Sequence, residues 1–291
     1  MLKTRIFTAI GLLAVFLPAL FYLPNSWWAF LMLALALLAL KEWAGLIALN
    51  STQTMFYLIV AALIGTYFAQ SITENGLHPF FYNALTLFLL SAIFWFLLAP
   101  IWLFNGFARQ VSKLNSFAIP VSKLNSFEMP KFAMAFLGLL LIGAFWAALI
   151  CLHAIDAKLL LSLMATIWIA DSAAYFAGKQ FGKHKLAPSI SPGKTWEGVA
   201  GALIGVTIFA AVIVFGFDYQ DLLIFPLFWL VAILGVIGDL FESMLKRQAG
   251  VKDSGNILPG HGGMLDRIDG LIPALPVAVM LIYFVQALRV A

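Results

Sequence analysis

The feature that most constrains this chain is a series of long apolar runs, each about the length that crosses a bilayer as a helix. The hydrocarbon core of a bilayer is about 30 Å thick and needs about 20 helical residues. Nine such runs occur, at approximately 5–23, 27–48, 55–71, 79–105, 132–155, 158–178, 196–216, 221–241 and 269–289. Since only helices and closed barrels satisfy their backbone hydrogen bonds in lipid, the sequence predicts an all-α polytopic membrane protein with about nine transmembrane helices.

The amino-acid composition also indicates a protein that is embedded in a lipid bilayer. Of the 291 residues, 63% are hydrophobic and 10% are charged, whereas about a quarter are charged in an ordinary soluble domain. A water-soluble globule could not bury so much apolar surface, and a single cysteine, Cys151, excludes an internal disulfide. The first apolar run continues to about Leu23 without an obvious small-residue cleavage site. We therefore expect a retained first span, with a signal anchor as the lesser alternative.

Lysine and arginine are distributed very unevenly between the two sides of the predicted membrane. If the N-terminus lies inside, the outside segments hold only Lys158 and Arg289, and Lys41 lies within the second span. The inside segments hold the other fourteen basic residues: Lys3, Arg5, Arg109, Lys113, Lys123, Lys131, Lys179, Lys183, Lys185, Lys194, Lys246, Arg247, Lys252 and Arg267. The positive-inside rule therefore predicts a cytoplasmic N-terminus and favours an odd number of spans.

Most acidic residues at membrane depth gather toward the same face. Ionisable groups inside a bilayer are costly, and they usually face a cavity or a partner. For Lys41 and Glu42, near the cytoplasmic end of the second span, a structural ion pair and a functional role are equally supported. A functional site is favoured for the acids of the C-terminal half, which are Asp171, Glu197, Asp239, Asp266 and Asp269. We accordingly divide the chain into residues 1–131, with spans 1–4 and a loop, and residues 132–291, with spans 5–9 and the site.

The segment 239–269, DLFESMLKRQAGVKDSGNILPGHGGMLDRID, is the richest in polar residues. Its spacing of i, i+3, i+4, i+7 and i+8 predicts one polar helical face, formed by Asp239, Glu242, Ser243, Lys246 and Arg247. The helix is predicted to end at Gly250. The Gly-His-Gly-Gly sequence at 260–263 allows positive φ and close approach of the backbone to a ligand. Asp266 and Asp269 are then predicted to start the next helix.

These residue types indicate chemistry on phosphate groups. Oxygen ligands from two helix ends suit Mg²⁺, and the lysine and arginine side chains between them suit phosphate oxygens. A metal with carboxylates and cationic donors is typical of transfer at phosphorus, where catalysis consists of positioning and charge stabilisation. The alternative is a solvated juxtamembrane loop with balanced charge.

The segment 171–198 predicts a second phosphate-binding element. Its Pro-Gly-Lys-Thr sequence at 192–195 resembles part of a Walker A loop, but that motif needs glycine at 188, where this chain has Pro188. The remaining interpretation is a loop that opens the seventh span and places Ser191, Lys194 and Thr195 near its positive end. A basic loop bound to anionic lipid is the alternative.

Two further features favour a structural interpretation. The sequence VSKLNSF occurs at 111–117 and again at 121–127, and two such short copies are too few for a repeat fold. A local duplication without a special role is the favoured account. His153 in the fifth span is predicted to be a packed interfacial histidine rather than a ligand.

Taken together, the polar motifs resemble the signature of the phosphatidate cytidylyltransferases (CDP-diacylglycerol synthases). The resemblance covers about residues 165–289, whereas the N-terminal half agrees only in hydropathy. It rests on Ser243-Met-Leu-Lys-Arg, Lys252-Asp-Ser-Gly and Leu258-Pro-Gly-His-Gly-Gly-Met-Leu-Asp-Arg-Ile-Asp, and upstream on Asp171-Ser-Ala-Ala-Tyr and Ser191-Pro-Gly-Lys-Thr-Trp-Glu-Gly.

The resemblance implies that CTP and phosphatidic acid react to give CDP-diacylglycerol and pyrophosphate, with Mg²⁺ required and K⁺ beside it. It also implies a helical membrane fold, a homodimer and a metal site near the cytoplasmic face of the cell (inner) membrane. Membrane lipid is then the setting, and nucleic acid is not expected as a partner. A cytidylyltransferase acting on another lipid phosphate is one alternative. A transporter of an anionic phosphorylated substrate is another, although the inverted repeats typical of transporters are not seen.

By position in the family motif, Asp239 and Asp266 would be metal ligands, with Ser243 and Asp269 close by. Lys252 and Asp253 join the two aspartates Asp239 and Asp266 as catalytic candidates. The substrate-binding candidates are Asp171, Ser191, Lys194, Thr195, Ser243, Lys246, Arg247, His261 and Arg267.

Overall fold

A computed structural model describes residues 2–75, 77–104, 129–216, 221–257 and 262–290. In chain order its elements are α1 (Leu2–Tyr22), α2 (Asn25–Leu46), α3 (Ser51–Asn75), α4 (Leu77–Ile93), α5 (Lys131–Ile155), α6 (Ala157–Phe181), β1 (Lys185–Ala187), β2 (Ser191–Thr195), α7 (Trp196–Gly216), α8 (Ile224–Gln248), α9 (Leu265–Ile268) and α10 (Leu271–Val290). A π-helical turn, Phe94–Leu98, prolongs α4. The VSKLNSF copies and His261 lie outside the described residues.

The helices coincide with the predicted spans. Within the described ranges, eight helical segments are long and apolar enough to cross a membrane. The first predicted span, 5–23, coincides with α1, of which the apolar part Leu13–Tyr22 is a shorter segment. The prediction of an all-α polytopic membrane protein is therefore confirmed. The cytoplasmic position of the N-terminus stays a prediction.

Helix α5 lies at the centre of the bundle. Every residue from 144 to 152 is buried, and the helix packs against α2, α3, α4, α6 and α10. A helix that is apolar all round is expected in such a position. Because α5 is surrounded by protein, it supplies the scaffold on which the peripheral helices are arranged.

Tryptophan side chains fasten α2 to α5. The Trp43 indole donates to the Met134 carbonyl at 2.9 Å, and the Trp28 indole donates to the Leu149 carbonyl at 3.2 Å. In the opposite direction, the Trp146 indole donates to the Ala29 carbonyl at 3.0 Å. A polar group buried in a membrane needs a partner, and these bonds satisfy three indoles along the helix pair. The register of α2 against α5 is thereby defined.

His153 agrees with its predicted packed role. Its ring lies parallel to the Trp28 indole with centroids 4.6 Å apart. One ring nitrogen lies 2.9 Å from Asn25 Oδ1, and the other lies 3.0 Å from the Leu20 carbonyl. Both nitrogens are thus used within the fold, where they link α5 to the end of α1 and the start of α2.

The loop between α6 and α7 forms an antiparallel hairpin that was not predicted. Strand β1 pairs with β2 so that Lys185 lies opposite Thr195 and Ala187 lies opposite Ser191. Ala187 and Ile190 are buried. The short strands are rich in polar residues, glycine and proline, so hydropathy gave no sign of them. The hairpin places Lys194 beside Asp239 of α8.

Helices α8 and α10 meet closely at a glycine. A Cβ atom at Gly238 would overlap the Asp269 carbonyl oxygen and would lie 2.8 Å from Pro273 Cγ. The absence of a side chain at Gly238 therefore lets Asp269 approach α8, one residue before Asp239.

We expect Gly238→Ala to destabilise the protein by about 1–3 kcal/mol, because the added methyl group must displace backbone. The apparent midpoint of thermal unfolding in detergent is the measurement. Gly143→Ala is the matched control: apart from its own helix, no atom of the described residues lies within 4 Å of its Cβ position, and alanine is favoured over glycine inside a helix by about 0.5–1 kcal/mol. Equal midpoints for Gly238→Ala and the wild type would contradict the close packing.

Candidate active site

Helices α6 and α8, the junction of α9 and α10, and the hairpin bring together a first group of predicted residues, the Asp239 cluster, defined as Asp171, Lys194, Asp239, Ser243 and Asp269. At its centre the Lys194 ammonium lies 2.5 Å from Asp239 Oδ2. The Ser243 hydroxyl, one turn further along α8, donates to Asp239 Oδ1 at 3.3 Å. The side chains of Lys194 and Asp239 are 25% and 33% exposed, so this ion pair is accessible to a ligand.

Two further carboxylates share this electrostatic environment. Asp171 on α6 interacts with Asp239, Lys194 and Arg267. Asp269, at the junction of α9 and α10, interacts with Asp239, Asp171 and Lys194, and its Oδ1 accepts from the Gly270 amide at 2.8 Å. Acids from separate helices therefore surround one lysine.

The hairpin holds Lys194 in place through the residues beside it. Thr195 is buried, and its hydroxyl accepts from the Gly198 amide at 3.1 Å, which is the geometry of a helix N-cap. Glu197 in the first turn of α7 lies 2.6 Å from His184 Nδ1 and also accepts from the His184 amide at 3.2 Å. The hairpin is thereby fastened to α7 on both sides of Lys194.

A second group, the Asp266 cluster, consists of Glu242, Lys246, Ser254 and Asp266. The Lys246 ammonium lies 2.5 Å from Glu242 Oε2 and 2.5 Å from Asp266 Oδ1. All three side chains are nearly buried, with exposures of 12% for Lys246, 5% for Glu242 and 7% for Asp266. Glu242 accepts no well-aligned hydrogen bond among the described residues, so Lys246 is its charge partner.

Both carboxylate oxygens of Asp266 already accept hydrogen bonds from protein donors. Its Oδ2 accepts from the Ser254 amide at 3.0 Å, the Ser254 hydroxyl at 2.9 Å and the Gly263 amide at 2.8 Å. Its Oδ1 accepts from Lys246. In this arrangement Asp266 would have to release one of these donors in order to bind a metal ion, whereas Asp239 is more accessible.

The glycine-rich loop has the predicted backbone freedom at Gly262, where φ is +82°. A Cβ atom there would lie 2.8 Å from Asp266 Oδ2 and 3.7 Å from Asp253 Cβ. Close approach of the backbone to a carboxylate therefore explains glycine at this position. Lys252 and Asp253 are exposed on the same loop.

The remaining predicted residues lie on the chain segments that carry the two clusters. Arg247 is exposed at the end of α8, and its guanidinium lies 3.5 Å from the Val251 carbonyl. Ser191 begins β2, and Arg267 is exposed beside Asp171. The catalytic, binding and metal roles of all these residues stay predictions.

Sequence reasoning left Glu42 undecided, and the structure places it beside the Asp266 cluster. This α2 carboxylate is 6% exposed. It accepts from the Ser254 hydroxyl at 3.0 Å and from the amides of Met264 and Leu265 at 2.9 and 2.7 Å. Its position within an apolar run was the available signal, because a buried carboxylate requires partners.

The donor set suits a hard cation. Mg²⁺ usually takes one or two protein carboxylates and completes its shell with water and phosphate oxygens. Asp239, with Asp269 and Ser243 beside it, fits that pattern. In the part of the chain that the structure describes, no three acidic, histidine or cysteine side chains converge into a ready metal-binding group. Phosphate oxygens would therefore be needed to complete the coordination.

Carboxylates and lysines clustered between membrane helices define a class of protein: an integral membrane enzyme that acts on phosphate groups. Sequence comparison specifies the family. A model of the cytidylyltransferase family matches residues 3–285, and the chain belongs to this family.

Curated relatives agree along the full length. A phosphatidate cytidylyltransferase of Pseudomonas aeruginosa is 36% identical over 290 residues, which is 97% of this chain and 97% of the relative. One of Haemophilus influenzae is 34% identical and covers 98% of this chain and 100% of the relative. One of Bacillus subtilis is 52% identical over 126 residues, which is 42% of this chain. The predicted family resemblance is confirmed, and it extends into the N-terminal half.

Proposed function

We propose that this chain transfers the cytidylyl group of CTP to phosphatidate and forms CDP-diacylglycerol and pyrophosphate. Membership of the cytidylyltransferase family supports the nucleotide, and the names of the full-length relatives support the lipid. The observation that carries the proposal is the accessible Lys194–Asp239 pair, with the further carboxylates Asp171 and Asp269 near it. It offers a cation for a phosphate group and oxygens for a metal ion within one site.

The reaction is an in-line displacement at phosphorus. A non-bridging oxygen of the phosphatidate phosphate attacks the α-phosphorus of CTP and forms the new P–O bond. The bond from the α-phosphorus to the oxygen that bridges to the β-phosphorus breaks, and pyrophosphate leaves with that electron pair. Because the attacking oxygen is already anionic, no general base is required. The main barrier is the repulsion between two anions, which positioned cations lower.

The basic residues of the site would lower this repulsion in different ways, depending on where each one lies. Lys194 lies on the hairpin beside Asp239 and would turn to a phosphate oxygen once substrate arrives. Arg267, Arg247 and Lys252 are exposed and would supply further positive charge for the two sets of phosphates. Lys246 is held between two buried carboxylates. It would stabilise the site by fixing the positions of Glu242 and Asp266.

Mg²⁺ would be held by Asp239, with Asp269 and Ser243 beside it and Asp266 available if it releases a donor. When bound, the ion supplies charge neutralisation for the reacting phosphates. K⁺ beside Mg²⁺ and a homodimeric assembly are further parts of the proposal, drawn from the family resemblance.

The site would face the cytoplasm from the cell (inner) membrane. The excess of lysine and arginine in the segments on that side supports this orientation. CTP would then arrive from the cytoplasm, and the lipid would arrive sideways between spans with its phosphate at the interface.

The test is a turnover assay with the full chain in lipid nanodiscs. CTP, phosphatidate and Mg²⁺ are expected to yield pyrophosphate and CDP-diacylglycerol in equal amounts. Diacylglycerol, which lacks the attacking phosphate, and UTP serve as controls for the two substrates. Absence of both products at saturating substrate, with protein that unfolds cooperatively, would overturn the proposal.

Lys194→Met is expected to lower kcat/KM by about 10²–10³-fold, because a cation aimed at developing negative charge is removed. Steady-state kinetics at several Mg²⁺ concentrations measure the effect. Lys185→Met is the matched control, since Lys185 is an exposed lysine on the neighbouring strand. A surface substitution of this kind usually changes stability by no more than about 0.5 kcal/mol, so Lys185→Met is expected to keep the wild-type turnover. Equal losses in the two variants would contradict a specific role for Lys194.

A further inference from the structure

We propose that Glu42 is a positioning residue for the proposed transfer, because its carboxylate holds the loop that carries Asp266. This inference rests on the proposed function for its consequence in catalysis, but its structural part stands on contacts alone. Among the described residues, the hydrogen-bond partners of Glu42 are Ser254, Met264 and Leu265, so it acts on the Asp239 cluster through other residues. The supported segment, called the loop below, consists of the described residues 249–257 and 262–266, which lead from the end of α8 into α9.

The Glu42 carboxylate is bonded entirely to this loop in the contacts that the described residues show. Oε1 accepts from the Met264 amide at 2.9 Å, and Oε2 accepts from the Leu265 amide at 2.7 Å and the Ser254 hydroxyl at 3.0 Å. Hydrogen bonds to an ionised acceptor are roughly twice as strong as neutral ones. A carboxylate that is 6% exposed therefore recovers its desolvation cost only while the loop keeps this shape.

Two glycines of the loop are shaped around the same carboxylate. A Cβ atom at Gly255 would overlap Glu42 Oε1, and a Cβ atom at Gly263 would overlap Glu42 Oε2. The loop backbone thus lies close to the Glu42 carboxylate on two sides, at Gly255 and at Gly263. This close fit is what a positioning contact requires, since a loose contact would not define the loop.

Ser254 connects Glu42 to Asp266. Its hydroxyl oxygen lies 3.0 Å from Glu42 Oε2 and 2.9 Å from Asp266 Oδ2. A hydroxyl has one proton and donates to one carboxylate at a time, while the Ser254 amide keeps its bond to Asp266 at 3.0 Å. Removal of the Glu42 charge would leave Ser254 and the amides of Met264 and Leu265 without their ionised acceptor, and the backbone that carries Asp266 would be held less firmly.

The support is rigid because α2 is rigid. The residue after Glu42, Trp43, is bonded to the Met134 carbonyl on α5 at 2.9 Å, and α2 also contacts α9 directly. The position of the loop is thereby fixed relative to the central helix α5, through α2, and not only relative to α8. This explains why a carboxylate from the N-terminal half contributes to a site whose motifs lie in the C-terminal half.

The experiment compares Glu42→Gln with Lys41→Gln in the full chain in nanodiscs. Lys41 is the exposed neighbour on the same helix. For Glu42→Gln we expect kcat to fall about 10–100-fold, as misplacement of reacting groups does, with a higher Mg²⁺ requirement and a nearly unchanged KM for CTP. Lys41→Gln is expected to behave as the wild type. Glu42→Asp, which keeps the charge on a shorter arm, is expected to recover part of the loss.

A second readout does not depend on activity. Limited trypsin cleavage after the exposed Lys252, followed by mass spectrometry, is expected to be about tenfold faster in Glu42→Gln, because the loop opens more often once the charged hydrogen bonds are lost. Unchanged cleavage and unchanged kcat in Glu42→Gln would overturn the inference. So would a fall in thermal stability without faster loop cleavage, which indicates a merely structural role.

Ser254→Ala keeps the inference testable if Glu42→Gln unfolds. It removes the connecting hydroxyl and is expected to lower kcat and to speed cleavage in the same direction, to a smaller degree. If Ser254→Ala has the kcat and the cleavage rate of the wild type, Ser254 does not connect Glu42 to Asp266. If the wild type forms no CDP-diacylglycerol, the proposed function fails, and the cleavage comparison still decides whether Glu42 holds the loop.

Discussion

Asp239→Asn is expected to lower kcat by about 10²–10³-fold while the protein stays folded. Asparagine keeps the shape of the side chain but removes the negative charge that would hold a cation at the phosphates, and loss of one such electrostatic group costs about this factor. The fold should tolerate the change because the Asp239 side chain is 33% exposed and its amide replacement still faces Ser243.

Steady-state turnover across a Mg²⁺ titration is the measurement. The variant should require more Mg²⁺ for half-maximal rate, and the apparent unfolding midpoint should stay close to that of the wild type. Asp221→Asn is the matched control: Asp221 forms an ion pair with Arg289 at 2.7 Å in a partly exposed position. Asp239→Asn with the rate and Mg²⁺ requirement of Asp221→Asn would refute the metal role.

Lys246→Met is expected to destabilise the protein by about 3–5 kcal/mol, because it leaves two buried carboxylates without their cation. Glu242 and Asp266 have side chains that are 5% and 7% exposed, so water cannot replace the ammonium. Glu242 and Asp269 also line one small cavity with mostly apolar walls, including Trp95 and Phe241. The apparent unfolding midpoint should fall by roughly 10 °C, measured at one scan rate because such unfolding is often irreversible.

A double variant separates charge from packing. Lys246→Met combined with Glu242→Gln removes the carboxylate that has no aligned hydrogen bond, and Asp266 keeps its bonds to Ser254 and Gly263. The pair should therefore be more stable than Lys246→Met alone, with an interaction energy of about 0.5–3 kcal/mol. Lys158→Met, at an exposed lysine near the start of α6, should leave the midpoint unchanged. If the stability losses of Lys246→Met and Glu242→Gln simply add in the double variant, Lys246 and Glu242 do not form a stabilising ion pair.

The helices were predictable because the bilayer imposes a local rule. Every residue of a span must be tolerable in lipid or in the bundle, so length and hydropathy alone located α2 through α8 and α10. Span ends were less accurate by hydropathy: the eighth apolar run ends at 241, whereas α8 ends at Gln248, close to Gly250, where the polar helical face after Asp239 had predicted the end of the helix. Polar residues after Asp239 ended the hydropathy signal, although the backbone stayed helical.

The hairpin was not predictable by the same rule. Its strands hold three and five residues, and SPGKT has neither alternation nor strand-forming composition. Its pairing is maintained by buried Ala187 and Ile190 and by the attachment of Thr195 and Glu197 to α7. Those contacts depend on the arrangement of the surrounding helices.

The sequence by itself determined the membrane fold and the motif residues of the proposed site, since hydropathy and motif spacing are local properties of the chain. Tertiary structure alone decided the pairing of those residues. Lys194 joins Asp239 from the hairpin, Lys246 turns inward between Glu242 and Asp266, and Glu42 reaches a loop that follows 212 residues later at Ser254. The physical reason is desolvation: a charge at membrane depth takes the partner that packing brings within reach, and packing depends on the whole bundle.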